Sequence, residues 1–378
     1  MNNSLYIIAQ DCICSLGHNE EDIYESIANN KLSVGHIGTD PIITLPSKTQ
    51  EELKLFLSNY PKYKKLDPCV QYAIFTAHHT FLKSNIIDDN IGINIGSSRG
   101  ATSLWESDYN YFTKKGKSKL LTSPLTTLGN ISSNVAKHLE IQGPCISHSI
   151  TCSTSLQAIV NAYAWMQADL IDYFMVGGSE APNTLFTIEQ MKALKIYSKL
   201  KANYPCQPFS LLHTNTMTLG EGAASFLLSK KKTNAISELV GIGYQVDTQS
   251  TMTGIPDNGE NLYKSMKMAT KQVSKVDLVI CHAPGTLKGD QAEINAIDRL
   301  FKHRPILYST KHLTGHTLGA SGAISMYIAN LILKHQFTPN FPYPNNLNIP
   351  TKSQINTILI NAVGFGGNAT SILLKRVS

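Results

Sequence analysis

No CxxC pair occurs in these 378 residues, and the seven cysteines, at positions 12, 14, 69, 145, 152, 206 and 281, are an odd number. A disulfide framework or a cysteine-built zinc site is therefore not expected. Histidines and cysteines do not fall at metal-ligand spacing either, so no metal is expected. There is no G-x-S-x-G, which removes an α/β-hydrolase elbow. "GSSRG" at 96 to 100 follows an apolar run, yet neither phosphate-loop glycine motif is present. No apolar run is long enough to span a bilayer. The start, "MNNSLYIIAQDCICSLG", lacks the basic segment of a signal peptide. A soluble, cytoplasmic protein is expected. Charge is also scarce, at 16% of residues, with 33 basic against 27 acidic side chains and a net +6. That small excess does not argue for nucleic acid and suits an acidic protein partner or an anionic ligand. The basic runs "KKLD" and "SKKKTN" read as solvated surface.

Apolar residues make up 42%, enough for one large or two moderate domains. Strand-like runs alternate with helical patterns. "SLYIIAQDCIC", "IGINIG" (91 to 96, ending at Gly96), "LIDYFMVGGSEA" (breaking at Gly177-Gly178) and "EGAASFLLSKK" read as strands in the first part. "SELVGIGYQV", "VDLVICH", "INTILINAVG" and "ATSILLKRV" follow in the second. "VQYAIFTAHHTFL" places Val70, Ala73, Ile74, Ala77 and Phe81 on one helical face, and "AEINAIDRLF" and "GASGAISMYIANLILKH" also read as helices. The class is α/β with buried sheets. "LGEGAASFLLSKKK" echoes "VGFGGNATSILLKR", and "DDNIGINIGSSRG" echoes "KVDLVICHAPG". Two similar halves, 1–235 and 236–378, packed as one unit, are the expectation.

"HSITCSTSLQAIV" sets Cys152 between a β-prone run and a helix marked by Leu156, Ile159, Val160, Tyr163, Met166 and Leu170. Ser153 or Thr154 could cap that helix. A thiol there feels the positive end of the helix dipole, which favours the thiolate, and free N–H groups can hold an oxyanion. Cysteine is also a common core residue, so packing and nucleophile both stand at this point. His282 follows a strand in a turn with Pro284 and Gly285, and Asp290 and Glu293 open the next helix. Lys311 and His316 stand five apart in "YSTKHLTGHTLGASGAISM", and Gly364, Gly366 and Gly367 surround Phe365. His78-His79 reads as structural.

The order of these pieces resembles the elongating β-ketoacyl-acyl-carrier-protein synthases of the thiolase-like superfamily. "ITCSTSLQA" is similar to the nucleophile segment, "CHAPGTLKGDQAE" to the first histidine segment, "STKHLTGHTLGASGA" to the lysine and second histidine segment, and "GFGGNATS" to the closing loop. "GSSRGATSLWE", "SPLTTLGNISS" and "GGSEAPNTLFTIEQMKALKIYS" look like the synthases of aryl-polyene and flexirubin pigment pathways.

The resemblance implies a five-layer α-β-α-β-α sandwich. It implies a decarboxylative Claisen condensation with Cys152 as nucleophile, and His282 and His316 as neutral donors to the enolate. Lys311, paired with Glu293, orients them, with Asp290 in support. Cys152 and Phe365 supply the oxyanion N–H groups, and Phe365 also acts as a gate. Thr286 meets the phosphopantetheine arm. No bound cofactor is implied, the substrates being carried on acyl carrier protein, and a homodimer or a heterodimer with a related synthase is expected. Ala283-Pro284, Val363 and Asn368-Ala369 depart from the usual pattern, and Pro284 has no N–H to offer the arm. A chain-length-factor-like partner and a coenzyme A-dependent thiolase-type enzyme are the other readings.

Overall fold

Strand β1 (Leu5–Cys14) lies at the middle of a ten-stranded sheet and is buried along most of its length. A computed structural model describes residues 4–248, 254–347, 349–350 and 354–377. The first part continues with β2 (Val34–Ile37), β3 (Asp40–Ile43), β4 (Ile91–Gly96), β5 (Cys145–Ile146), β6 (Tyr173–Glu180) and β7 (Gly222–Ser229). Its helices are α1 (Glu20–Ala28), α2 (Ser47–Asn59), α3 (Pro68–Ser84), α4 (Thr102–Lys115), α5 (Thr122–Thr126), α6 (Asn130–Leu139), α7 (Thr154–Gln167) and α8 (Leu185–Ala193). The second part has β8 (Ser237–Val246), β9 (Leu278–Ile280), β10 (Ile306–Tyr308), β11 (Thr357–Val363) and β12 (Asn368–Arg376). With them come α9 (Glu260–Ala269), α10 (Leu287–Leu300), α11 (Lys311–Thr314) and α12 (Ser321–His335).

Read outward from the middle, one side runs β1-β7-β6-β4-β5 and the other β8-β12-β11-β9-β10. The pairing senses match as well. The first two steps on each side are antiparallel and the last two parallel. The two sequence echoes fall on β7 and β12 and on β4 and β9, which hold equivalent places in this order. β1 and β8 join the sides through three residue pairs, Leu5 with Leu239 to Ile7 with Ser237.

Helix α12 explains how the layers stack. Ser321 through Leu333 are all buried, as expected for a helix apolar on every face. It touches β11 and β12 on one side and β1, β6 and β7 on the other, and lies against α7. Each of its fully buried leucines and isoleucines is worth about 1.5–3 kcal/mol of transfer free energy. α3 and α6 cover the outer face of the first sheet half, and α9, backed by α10, covers the outer face of the second. The result is the five-layer thiolase-like sandwich.

One strand differs from its sequence pattern. β6 runs straight through Gly177-Gly178, because β4 pairs with it as far as Gly178 and β7 as far as Glu180. Gly178 marks a close approach instead. A Cβ there would lie 2.6 Å from the Ser155 Cβ and 3.0 Å from the Gly319 carbonyl oxygen. The glycine lets the starts of α7 and α12 press onto the sheet. All seven cysteines are free thiols, six of them buried.

Candidate active site

Thr151 has φ 58°, a left-handed conformation that is costly for a β-branched residue. Its side chain donates to the carbonyls of Ile150 (2.7 Å) and Phe365 (3.2 Å). The turn swings Cys152 to the head of α7, within a single turn of 3-10 helix over Thr151–Ser153. Neither candidate cap acts as an N-cap: Ser153 Oγ donates to Ile150 O (3.1 Å) and Thr154 Oγ1 to Thr151 O (2.5 Å). Both hydroxyls tighten the elbow. Leu170 lies beyond the end of α7 and is exposed. Cys152 itself is buried in an apolar cluster with Ile42, Ile188, Met191, Leu219 and Leu318. Gly364 abuts it, since a Cβ there would sit 2.8 Å from the Cys152 amide nitrogen. The Phe365 loop therefore lies over the Cys152 segment, and Phe365 is 37% exposed.

His282 follows β9 and is held by its backbone. Glu293, on α10, accepts the N–H of His282 (2.9 Å) and of Ala283 (2.8 Å) on separate oxygens. Asn361, on β11, donates to the same carboxylate (2.9 Å). The expected Lys311–Glu293 ion pair does not form. Lys311 Nζ instead donates to the carbonyl oxygen of His282. Glu293 is turned to three N–H donors, and the ammonium meets the carbonyl of His282 instead. Asp290, one turn earlier on α10, accepts the N–H groups of Gly285 (3.1 Å), Thr286 (3.1 Å) and Phe209 (2.9 Å). It fixes the turn that carries Thr286. Thr286 lines a cleft of 270 Å³ with Gln207, Phe209, Leu287 and Asp290.

His316 follows α11 and is clamped to the segment before β7. Its N–H donates to Thr218 O (2.7 Å), and its carbonyl accepts from Gly220 (3.2 Å). Its Nδ1 lies 3.0 Å from Ser321 Oγ. The rings of His282 and His316 meet edge to face, with centroids 5.2 Å apart, and both residues are about 5% exposed or less. The His282 Nδ1 is buried with no partner among the described residues.

Burial governs the protonation of this site. It pushes both histidines well below their ordinary value, and the Lys311 charge pushes them further. Both are neutral at pH 7. Burial also pushes the Cys152 thiol up to about 12; the Glu180 carboxylate adds to that, and Lys311 and the Cys152 N–H oppose it. The helix start does not produce a resting thiolate, because desolvation outweighs the dipole. Lys311 is lowered by burial, against the pull of Glu293, and Glu293 is raised by burial. Asp290 rises to about 7 through burial, against its backbone donors.

Glu180, Ser321 and Asn361 escaped the sequence reading. Glu180 is buried and accepts from Ser97 Oγ and from the N–H groups of Ser98 (3.2 Å), Arg99 (3.1 Å) and Gly319 (3.0 Å). The "GSSRG" segment thus cradles a resident carboxylate. A charge closing an apolar strand was the signal for it. Ser321 and Asn361 look like ordinary polar residues in sequence.

Two family profiles match this chain: the β-ketoacyl synthase N-terminal domain over residues 2–234 and the β-ketoacyl synthase C-terminal domain over 236–343. The chain belongs to the β-ketoacyl synthase family. It is a condensing enzyme of the acyltransferase class. It is 30% identical over 327 aligned positions, 78% of each chain, to 3-oxoacyl-[acyl-carrier-protein] synthase 1 of Buchnera aphidicola subsp. Baizongia pistaciae. It is 26% identical over 406 aligned positions to 3-oxoacyl-[acyl-carrier-protein] synthase 2 of Coxiella burnetii, covering 97% and 96% of the two chains. Among solved structures, a type II polyketide ketosynthase in complex with its acyl carrier protein shares the fold at TM-score 0.86 and 21% identity, with both chains fully covered. A ketosynthase in complex with its chain length factor, from Xenorhabdus doucetiae, gives TM-score 0.80 at 21% identity, covering 99% and 98%. Among the described residues no helix is long and apolar enough to cross a membrane.

Proposed function

We propose that this β-ketoacyl synthase is a 3-oxoacyl-[acyl-carrier-protein] synthase that condenses malonyl carried on acyl carrier protein with an acyl group held on Cys152. The first half, 1–235, presents Cys152, and the second, 236–378, presents His282, Lys311, His316 and Phe365. The observation that carries the reading is the buried, neutral His282–His316 pair, whose rings lie 5.2 Å apart, with Lys311 bound to the first histidine's carbonyl. A donor pair of this kind stabilises an enolate without simply protonating its carbon.

The thiol of Cys152 attacks the acyl thioester. Its proton leaves through a neutral imidazole to the departing pantetheine sulfur, so no free thiolate is needed at rest. The tetrahedral oxyanion is held by the N–H groups of Cys152 and Phe365. Malonyl thioester then enters past Thr286 and loses carbon dioxide. The bonding pair of the broken C–C bond becomes the enolate, which His282 and His316 stabilise at its oxygen. The enolate carbon attacks the acyl carbonyl, and the Cys152 sulfur departs and is reprotonated. Glu293 and Asp290 hold the two turns in place. The product is a chain longer by two carbons, for a fatty-acid-like or aryl-polyene pathway. The partners are acyl carrier protein and a second copy or a related ketosynthase, with no bound cofactor. Arrival of an acidic carrier protein fits the net +6 charge.

Intact-mass measurement after incubation with acyl carrier proteins of different chain lengths tests this. A gain equal to the acyl group, absent in Cys152→Ala, is expected, together with carbon dioxide release from malonyl carrier protein. An unmodified wild-type chain with every acyl donor overturns the nucleophile assignment.

A further inference from the structure

We propose that Asp11, His18 and His79 form a binding site for a divalent cation of the zinc class, remote from the condensing centre. Asp11 shares its face of β1 with Ala9 and Ile13, which pack in the outer core with α3. α7, whose head carries Cys152, lies on the other side of that sheet. Sequence spacing conceals the group, because β1, the loop after it and α3 each contribute one residue.

The pair geometry is the first observation. His18 Nε2 lies 3.2 Å from Asp11 Oδ2, yet both atoms are buried without a hydrogen-bond partner. Asp11 is fully buried. Two ligand-type atoms facing each other at this distance without a bond match one edge of a tetrahedral site, about 3.3 Å for bonds of about 2.0–2.1 Å. His79 supplies the third donor, and one atom from each residue lies within 4.8 Å of the others. Its Nδ1 is 4.0 Å from Asp11 Oδ2 and now bonds the Phe75 carbonyl at 2.8 Å. The ring is 28% exposed, so it can turn inward and also marks the way in.

The surroundings are the second observation. Glu52 Oε2, another buried oxygen without a hydrogen-bond partner, lies 3.6 Å from the far nitrogen of His18. A carboxylate on that side of the ring stands in the position from which such groups orient metal-bound imidazoles, short of hydrogen-bond distance here. Lys83 holds the other oxygen of Asp11 at 2.5 Å. Phe75 stacks edge-on to His18 with centroids 4.5 Å apart, and Phe56 lies 6.1 Å from His79, forming an apolar collar. The two carboxylates of Asp11 and Glu52 outnumber the one ammonium of Lys83, so the group leans towards a cation. Two imidazoles and one carboxylate, with a water in the fourth place, suit zinc.

The test uses the full-length protein, dialysed against chelator and then titrated with Zn²⁺ alone, and with Co²⁺ for its visible absorption. One equivalent bound, with a rise in melting temperature, is expected. His18→Gln and His79→Gln should each weaken binding at least tenfold, and Glu52→Gln by about 10–100-fold. Condensing activity should be the same in metal-free and metal-loaded protein. No stoichiometric uptake, or uptake unchanged in both histidine variants, overturns the site. The His79 variant, at a partly exposed position, keeps the test open where Asp11→Asn would disturb folding.

Discussion

Lys311 Nζ donates a hydrogen bond to the carbonyl oxygen of His282, while Glu293 accepts one from the N–H of the same residue (2.9 Å). The backbone of one residue is thus held on both sides by groups of opposite charge. The histidine ring is positioned through its backbone, and its own nitrogens stay available.

Replacing Lys311 with Met therefore removes a grip and a field together. Malonyl decarboxylation should fall by 10² or more, in the range of other lost electrostatic groups. The Lys311 charge is one cause of the low pKa of both histidines, so the acid limb of the pH–rate profile should move to higher pH. A variant whose profile keeps its wild-type position would show that Lys311 exerts no field on the pair.

Cys152 is a thiol at rest, raised to about 12. Alkylation at Cys152, followed by peptide mass, should accelerate about tenfold per pH unit from pH 7 to 9, as the thiolate fraction does. The Glu180 charge is among the causes of the rise. Glu180→Gln should speed alkylation at pH 8 and cost roughly 1–3 kcal/mol in stability, because an amide cannot accept from all of its donors. A plateau in the wild-type rate before pH 9 would contradict the raised value.

Ser321 partners the Nδ1 of His316 at 3.0 Å. With Ser321 donating there, the proton of the ring sits on Nε2. Ser321→Ala should slow decarboxylation about five- to tenfold, the worth of one hydrogen bond. Acylation of Cys152 should be unchanged. Equal losses in both half-reactions would place Ser321 elsewhere in the mechanism.

Buried neutral histidines make the fold acid-sensitive. His312 is fully buried and lowered to about 4 by desolvation, and His282 and His316 are lowered too. An unfolded chain binds these protons near pH 6.5, so stability is full above that and is lost as pH falls toward the folded values. His312 alone accounts for about 3 kcal/mol by pH 4. Urea midpoints should fall steadily from pH 7 to 4.5. A flat midpoint over that range would rule this out.

The α/β class and the places of its strands were legible, because β4, β7, β11 and β12 are short apolar runs between glycine turns. So was the repeat, whose echoes fall on equivalent strands. That the halves pack as one unit was expected, but how they join was not legible: β1 and β8 meet through three backbone pairs, which leave no residue signature, and α12 packs against strands of both halves. Cys152, His282, Lys311 and His316 were each found, but their wiring was not. The Lys311–Glu293 pair was implied by the resemblance, which does not say that Glu293 spends its carboxylate on three N–H donors. The thiolate followed from the helix dipole, and local sequence carries no measure of the apolar cluster around Cys152. The break at Gly177-Gly178 followed from composition, whereas the glycines serve a close packing contact.

The elbow at Cys152 has a counterpart. Leu318 has φ 39°, begins a 3-10 turn over Leu318–Ala320, and leads into α12, just as Thr151 leads into α7. Counted along each turn, Gly319 stands where Cys152 stands. The N–H of Gly319 already holds an anion, the Oε2 of Glu180, at 3.0 Å. The duplicated cradle is thus permanently occupied by the protein's own carboxylate and has no sulfur. The second cradle has no side chain to acylate, and its N–H instead ties the start of α12, in the second half, to Glu180 at the end of β6, in the first.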